Sequence, residues 1–334
     1  MKPAEAVSVM RGTAPWESTD LDAEGTREML AEIRDLARRK NAVILAHNYQ
    51  VPEVQEAADH LGDSLGLARI AQETNADMVV FCGVHFMAES AKILNPEKKV
   101  LLPSLAAGCS LADSITPESL EDWKERYPEH TVVTYVNSTA EVKAMSDICC
   151  TSANAASVVR HVNNDKILFT PDRNLGNWVA SQVPEKDIVI YDGACPTHDV
   201  LRSASVERSL DGHRDAIVIA HPECREDVVQ LADEVCSTSG MIGAVERHPD
   251  ARTFIVATEW GLLYQLKKRF PDREFVAADG CIGCRLHCPY MKMIDLDATL
   301  RSLREEVFEI DVPEDVQAGA RLALERMLEV PRDS

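Results

Sequence analysis

Three cysteine-bearing loops hold the residues of clearest chemical potential in this 334-residue sequence. They read Ala107-Gly108-Cys109, Asp192-Gly193-Ala194-Cys195, and a longer stretch from Asp279 that holds Cys281, Cys284 and Cys288. Each contains glycine and follows a short apolar run that reads as a strand. Soft thiolate sulfur selects iron–sulfur clusters and zinc. Three converging thiolates with no evident fourth suit a [4Fe–4S] cluster, in which one iron then keeps an open position. Such an iron is a Lewis acid that can grip a carboxylate, hydroxyl or nitrogen. Two local readings compete for the third loop. Its C-x2-C-x3-C-P string, Cys281 to Pro289, overlaps the end of a ferredoxin-type cluster motif, and His287 within it would suit zinc. A Cys281–Cys284 redox pair beside a Cys288 ligand is also compatible with a central cluster. Cys82, Cys149, Cys150, Cys224 and Cys236 lie in or beside apolar stretches and read as core residues.

The elements that must position these loops recur three times. Each unit begins with an apolar strand ending on a polar residue: Val43 to His47, Val132 to Asn137, Ile217 to His221. A helical stretch with an early Glu follows, closing on Ala58-Asp59, Ser146-Asp147 and Ala232-Asp233. Five residues after each Asp stands a hydroxyl residue: Ser64, Ser152 and Thr238. Further strands are expected at Met78 to Cys82, Lys166 to Phe169 and Thr253 to Ala257. The last strands are expected at Val100 to Pro103, Ile188 to Tyr191 and Phe275 to Ala278. Strands alternating with helices predict parallel sheets covered on both faces. The fold class is therefore α/β: three similar three-layer αβα domains, in pseudo-threefold arrangement around a central site. The expected divisions are an N-terminal extension and helix over 1–40, then units over 41–117, 118–203 and 204–288. Residues 289–334 are expected to pack back on the first unit. Ligands in such sheets bind beyond the carboxyl ends of the strands, so equivalent cysteine loops would meet on the axis.

Composition narrows the function classes. Hydrophobic residues make up 45% and charged residues 27% of the chain, the balance of a globular protein. Net charge is −20, which argues against nucleic acid or an anionic membrane as partner, both being polyanions. Apolar runs such as Met78 to Cys82 are far too short to span a bilayer. The first twenty residues lack an apolar h-region, and the expected location is the cytoplasm. In a reducing compartment ten cysteines are not expected to form structural disulfides.

Several stretches together resemble the quinolinate synthase family: Leu45-Ala-His-Asn-Tyr-Gln50, Gly62-Asp-Ser64, Phe86-Met-Ala-Glu-Ser-Ala-Lys92, Tyr135-Val-Asn-Ser-Thr-Ala-Glu141, Thr151-Ser-Ala-Asn154, His221-Pro-Glu-Cys224 and Ser237-Thr-Ser-Gly-Met241. The resemblance runs from about residue 40 to the C-terminus. It implies three αβα domains around a [4Fe–4S] cluster held by one cysteine from each, matched to Cys109, Cys195 and Cys288. Cys281 and Cys284 resemble a pair that forms a redox-sensitive disulfide in some members. The implied reaction condenses iminoaspartate with dihydroxyacetone phosphate, releasing phosphate and two waters. An aspartate-oxidising enzyme is implied as the source of the imine.

The residue types agree with that chemistry. Both substrates are anionic, and Ser64, Ser152 and Thr238 stand at expected helix N-termini, where free N–H groups favour anions. Each hydroxyl would alternatively serve as an N-cap. Ring formation moves several protons, and Glu223 with His221 form an expected acid–base pair, Glu223 as main base. Tyr49, Tyr135, His47 and His198 are expected shuttles or carboxylate ligands, and Asn137 a neutral donor.

Overall fold

A computed structural model of the chain describes residues 20–278 and 286–333. Its twelve strands form three four-stranded sheets, each parallel throughout. The first holds β1 (Ala42–His47), β2 (His60–Gly62), β3 (Met78–Cys82) and β4 (Lys99–Leu101). The second holds β5 (Thr131–Tyr135), β6 (Ile148–Cys150), β7 (Lys166–Thr170) and β8 (Asp187–Ile190). The third holds β9 (Ile217–Ala220), β10 (Glu234–Val235), β11 (Thr253–Ala257) and β12 (Glu274–Ala277). Strand order is the same in all three: β2-β1-β3-β4, β6-β5-β7-β8 and β10-β9-β11-β12. The central strands are near-continuous apolar runs, such as Val79-Val80-Phe81-Cys82, which are buried on both faces as sheets covered by helices require.

The edge strands β2, β6 and β10 extend the expected pattern of three strands per unit to four. With two or three residues each, they are too short to show an alternation in sequence. The recurring Asp before each of them has a structural role. Asp59, Asp147 and Asp233 each accept, at 2.8 Å, the backbone N–H of Ile44, Val132 and Val218 on the neighbouring central strand. Each also donates its own N–H to the carbonyl of that same residue, at 2.9, 3.1 and 2.9 Å. The carboxylate thus closes the start of the parallel ladder where no further strand residue is available. Asp147→Ala is expected to cost about 1 kcal/mol of stability, the typical worth of one such bond. Chemical denaturation with turnover measured alongside checks this, since the residue lies far from the cavity described below.

The N-terminal helix Glu24–Arg39 buries Leu30, Ile33, Leu36 and Ala37 on one stripe, and packs on β1 and on the helix Leu296–Glu305. The C-terminal helix Glu314–Glu329 bridges two units, lying on the helix Ala140–Ala144 and β6 of the second and on the helix His85–Leu94 of the first. Gly319 permits this approach: a Cβ there would stand 2.6 Å from the Ala144 carbonyl oxygen. Beyond the helix, Arg332 forms a two-pronged ion pair with Asp63 at 2.5 and 2.9 Å. Asp333 accepts the N–H groups of Ala156 and Ser157 at 3.2 and 2.7 Å. The last residues therefore fasten the first unit to the second. No helix among the described residues is long and apolar enough to cross a membrane.

Candidate functional site

One backbone bond repeats in every unit and sets where its cysteine stands. Three residues after the end of the third strand, the N–H groups of His85, Arg173 and Trp260 donate to the carbonyls of Ala107, Gly193 and Leu286, at 2.7, 2.7 and 3.1 Å. Each acceptor lies two residues before a cysteine: Cys109, Cys195 and Cys288. Cys288 is thus the repeat equivalent of the other two. Each cysteine also precedes a helical turn: Ala112–Ser114, Pro196–Asp199 and Met291–Met293. Backbone N–H groups of Leu111 and Ala112 are directed at the Cys109 sulfur, and those of Tyr290 and Met291 at the Cys288 sulfur. Donors in that position favour a thiolate.

The three cysteines line one cavity. The same cavity is lined by His47, Tyr49, Ser64, Tyr135, Asn137, Ser152, His198, His221, Glu223 and Thr238, the residues expected to bind substrate or carry protons. Cys281 and Cys284 lie outside the described residues. Burial, then the neighbouring thiol of Cys288, pushes the Cys109 thiol up to about 12. Burial lifts Cys288 to about 11. Burial, Glu223 and then both other thiols raise Cys195 further. Three thiolates cannot share this pocket without a cationic partner, which is the property expected of a metal-cluster cradle. Of the residues expected in the core, Cys82, Cys149, Cys150 and Cys224 are fully buried and Cys236 is partly so. His287 turns elsewhere, its Nδ1 accepting the Trp260 indole N–H at 3.1 Å.

A carboxylate network lines the same cavity and begins beside Cys195, whose sulfur lies 3.3 Å from His198 Nδ1. Glu223 Oε2 lies 2.8 Å from His198 Nδ1 and 3.4 Å from His221 Nδ1, and Oε1 accepts the Asn137 amide at 3.3 Å. Its nearest imidazole is therefore His198, not the sequence neighbour His221. Burial pushes the Glu223 carboxyl up, but the two imidazoles and the Tyr135 hydroxyl outweigh it and hold it well below the usual carboxylate range. Beyond His198 the network continues through Thr258. Thr258 Oγ1 is 2.9 Å from His198 Nε2 and 2.5 Å from the Tyr49 hydroxyl. A single proton direction satisfies the whole chain: Tyr49 donates to Thr258, Thr258 to His198, and His198 to Glu223. Burial, reinforced by Glu223, keeps the Tyr49 and Tyr135 hydroxyls protonated, far above their ordinary range.

His47 and His221 share a different tautomer. Nδ1 of each accepts the N–H of the residue two positions on, Tyr49 at 3.2 Å and Glu223 at 3.3 Å. Nε2 then carries the proton, and in His221 it meets Ser152 Oγ at 3.2 Å. Burial lowers His47 to about 4 and His221 to about 3, so both rings are neutral donors. The fold favours the neutral form of each, so their contribution is complete above the unfolded value of 6.5 and is lost as pH falls toward 4 and 3. By pH 5 each is expected to have cost about 2 kcal/mol. Urea denaturation of cluster-free protein at pH 7 and pH 5 checks this. His47→Gln is expected to lose correspondingly less between the two, and an unchanged pH slope contradicts the assignment.

Three hydroxyl residues, Ser64, Ser152 and Thr238, line the cavity. Ser64 and Thr238 are the first residues of the helices Ser64–Glu73 and Thr238–Arg247. The N-caps are their predecessors Asp63 and Ser237, which accept the N–H groups of Gly66 and Gly240. The hydroxyls are therefore free of capping duty. Ser152 lies in the turn before the helix Ala155–His161, whose N-cap is Asn154. Thr238 Oγ1 accepts the Asn48 amide at 2.9 Å, and Ser152 accepts from His221, so each retains an O–H to give. Asn137 donates an amide N–H to Glu223 at 3.3 Å, and its buried Oδ1 has no hydrogen-bond partner among the described residues. The free atom is an acceptor.

Sequence reasoning missed Thr258, Asp172, Glu259 and Lys292. Asp172 and Glu259 are buried behind the cysteines and Lys292 is half-buried beside Glu259; a common position just after the third strand would have drawn attention to the two acids. Cys195, His198 and Glu223 also offer ligand atoms within 4.8 Å of one another.

Three equivalent parallel sheets sharing one buried centre of thiols, imidazoles and carboxylates define an α/β enzyme that encloses a small molecule between repeated units. The model of the Quinolinate synthetase A protein family matches residues 31–329, and the chain belongs to that family. It is 50% identical over 297 residues to the quinolinate synthase of Thermodesulfovibrio yellowstonii, covering 89% of this chain and 96% of the relative. It is 52% identical over 302 residues to that of Pelobacter propionicus, covering 90% and 98%. It is 46% identical over 315 residues to that of Aquifex aeolicus, covering 94% and 98%.

Proposed function

We propose that this chain is a quinolinate synthase of NAD biosynthesis that condenses iminoaspartate with dihydroxyacetone phosphate, releasing phosphate and two waters. The observation that supports it most is the meeting of three repeat-equivalent thiols on a cavity whose remaining wall is built of anion donors and proton carriers. Cys109, Cys195 and Cys288 would each hold one iron of a [4Fe–4S] cluster. When bound, the cluster supplies an iron without a protein ligand, a Lewis acid for one substrate oxygen or nitrogen.

The chain's own residues divide the remaining work. Ser64, Ser152 and Thr238 offer hydroxyls, and the two ten-residue helices that begin at Ser64 and Thr238 offer free first-turn N–H groups. Together they receive the phosphate, or a substrate carboxylate. Arg332 neutralises Asp63 beside them, which keeps a carboxylate near the anion site from repelling the substrate. Neutral His47 directs an Nε2–H at a second substrate oxygen. Asn137 Oδ1 accepts from a substrate hydroxyl or N–H.

Glu223 is ionised at neutral pH and takes the C–H proton. Because its proton affinity is low, Glu223 gives that proton to the departing hydroxyl, which leaves as water. The relay from Tyr49 through Thr258 and His198 donates toward Glu223, so it carries a second proton, received from the substrate at the Tyr49 oxygen, to the carboxylate once it is ionised again. Thr258→Val, which removes only the relay hydroxyl, is expected to lower kcat by 10- to 100-fold, below the 10²–10⁴ of a whole acid–base group. Thr258→Ser is expected to restore it. Equal loss in both variants contradicts the relay.

A second reading is a mononuclear metal site on Cys195, His198 and Glu223. It uses the proton carrier as a ligand and leaves Cys109 and Cys288 without a role. Anaerobically purified protein, given dihydroxyacetone phosphate and iminoaspartate generated in place, is expected to form quinolinate detectable by mass spectrometry. Iron-loaded protein that forms none overturns the proposed reaction.

A further inference from the structure

The three cysteine loops share one backbone fastening, and among the described residues two of them also have a carboxylate on the cysteine N–H. The residue two positions past the third strand is Val84 in the first unit, Asp172 in the second and Glu259 in the third. Asp172 Oδ2 accepts the N–H of Cys195 at 3.0 Å, while its Oδ1 accepts that of Leu175 at 2.7 Å. Glu259 Oε1 accepts the N–H of Cys288 at 3.2 Å, and its Oε2 that of Gly261 at 2.7 Å. Both side chains are fully buried, at 0% exposure. Lys292 completes the third corner. Its ammonium lies 2.9 Å from Glu259 Oε1, donates to the Tyr49 carbonyl and sits over the Trp260 ring.

Burying a carboxylate costs several kcal/mol even when it is paired. In the first unit Val84 stands in the equivalent place, and among the described residues no carboxylate holds the Cys109 N–H. The fold therefore does not require an acid there. What the two acids add is fixation of the residue that carries the sulfur. The backbone N–H of the cysteine cannot rotate away, so the Cα–Cβ vector keeps its aim at the shared centre. Lys292 extends that hold to the first unit through Tyr49.

We propose that Asp172 and Glu259 are positioning residues for the cluster, each holding one ligand cysteine by its backbone so that its sulfur stays directed at the common centre. The inference rests on the cluster reading above. Outer groups that orient metal ligands are typically worth 10- to 100-fold in metal retention. The test uses full-length wild type, Glu259→Gln and Asp172→Asn, each reconstituted anaerobically with iron and sulfide. Transfer of iron to an excess of chelator is followed by the loss of cluster absorbance. Each variant is expected to release iron at least tenfold faster than wild type.

A structural role is separated by comparing the melting temperatures of loaded and cluster-free protein. Binding to the folded state alone stabilises it in proportion to affinity. Loosened ligands should therefore shrink the difference between the two forms, beyond whatever fall the lost Lys292 pairing causes in the cluster-free value. Equal falls in both forms, wild-type rates of iron release, or failure of both variants to fold overturn the proposal. Failure of wild type to take up iron at all instead overturns the cluster reading on which it rests.

Discussion

Glu223→Gln is expected to lower kcat by 10²- to 10⁴-fold while iron content, fold and substrate affinity remain near those of wild type. The amide is nearly isosteric and keeps an oxygen to face His198 Nδ1, now 2.8 Å from Glu223 Oε2. It cannot hold a negative charge or accept a proton from carbon. A positioned acid–base group contributes about that range of rate. Glu223 is the junction of the network: His198, His221, Asn137 and Tyr135 all converge on it. His198 therefore also loses the anion that orients it, and no neighbouring carboxylate stands ready to replace it. Asp172 is not free to take over, because its oxygens accept the N–H groups of Leu175 and Cys195. Steady-state kinetics with iron assay on the same preparation checks this. Activity within tenfold of wild type contradicts the role given to Glu223.

Replacing Cys109, Cys195 or Cys288 with alanine is expected to abolish stable iron binding and turnover together. Cys281→Ala and Cys284→Ala are expected to retain both. The argument for Cys288 is one of register. Trp260 N–H meets the carbonyl two residues before Cys288, as Arg173 does before Cys195 and His85 before Cys109. Its sulfur is near enough to raise that of Cys109, and those of both raise Cys195. A local cluster confined to the 281–288 string would give the reverse pattern, with Cys109→Ala and Cys195→Ala keeping their iron. Iron and sulfide analysis across the five variants separates these outcomes.

Much of this arrangement was legible in the residues because it is stated three times. Strands Met78–Cys82 and Thr253–Ala257 are apolar runs of ordinary length, and their ends are those expected from the sequence. The recurring polar residue at His47, Asn137 and His221 marked the rim of the cavity, although the strand before Asn137 ends two residues earlier, at Tyr135. That early end places Asn137 in the loop, where its amide reaches Glu223. Other features depend on the folded state alone. The edge strand Glu234–Val235 is too short to leave a pattern. Glu223 meets two imidazoles, His221 from two residues away in sequence and His198 from another unit, and only the folded chain shows that His198 is the nearer. Thr258, Asp172 and Glu259 act from behind the cavity wall, and a hydroxyl or acid after a strand reads as an ordinary loop residue until its neighbours are known. Cysteine spacing was informative for the same reason that the fold was: repetition turned three distant residues into one set.

The central claim is that three thiols hold a single cluster whose fourth iron is left for the substrate. Mössbauer spectroscopy of the chain loaded with iron-57 tests it most directly, before and after addition of quinolinate. The account predicts a cubane signal with one iron in four shifting on addition, the other three unchanged. Four irons that all ignore the ligand, or a preparation that holds zinc and no cluster, would contradict it.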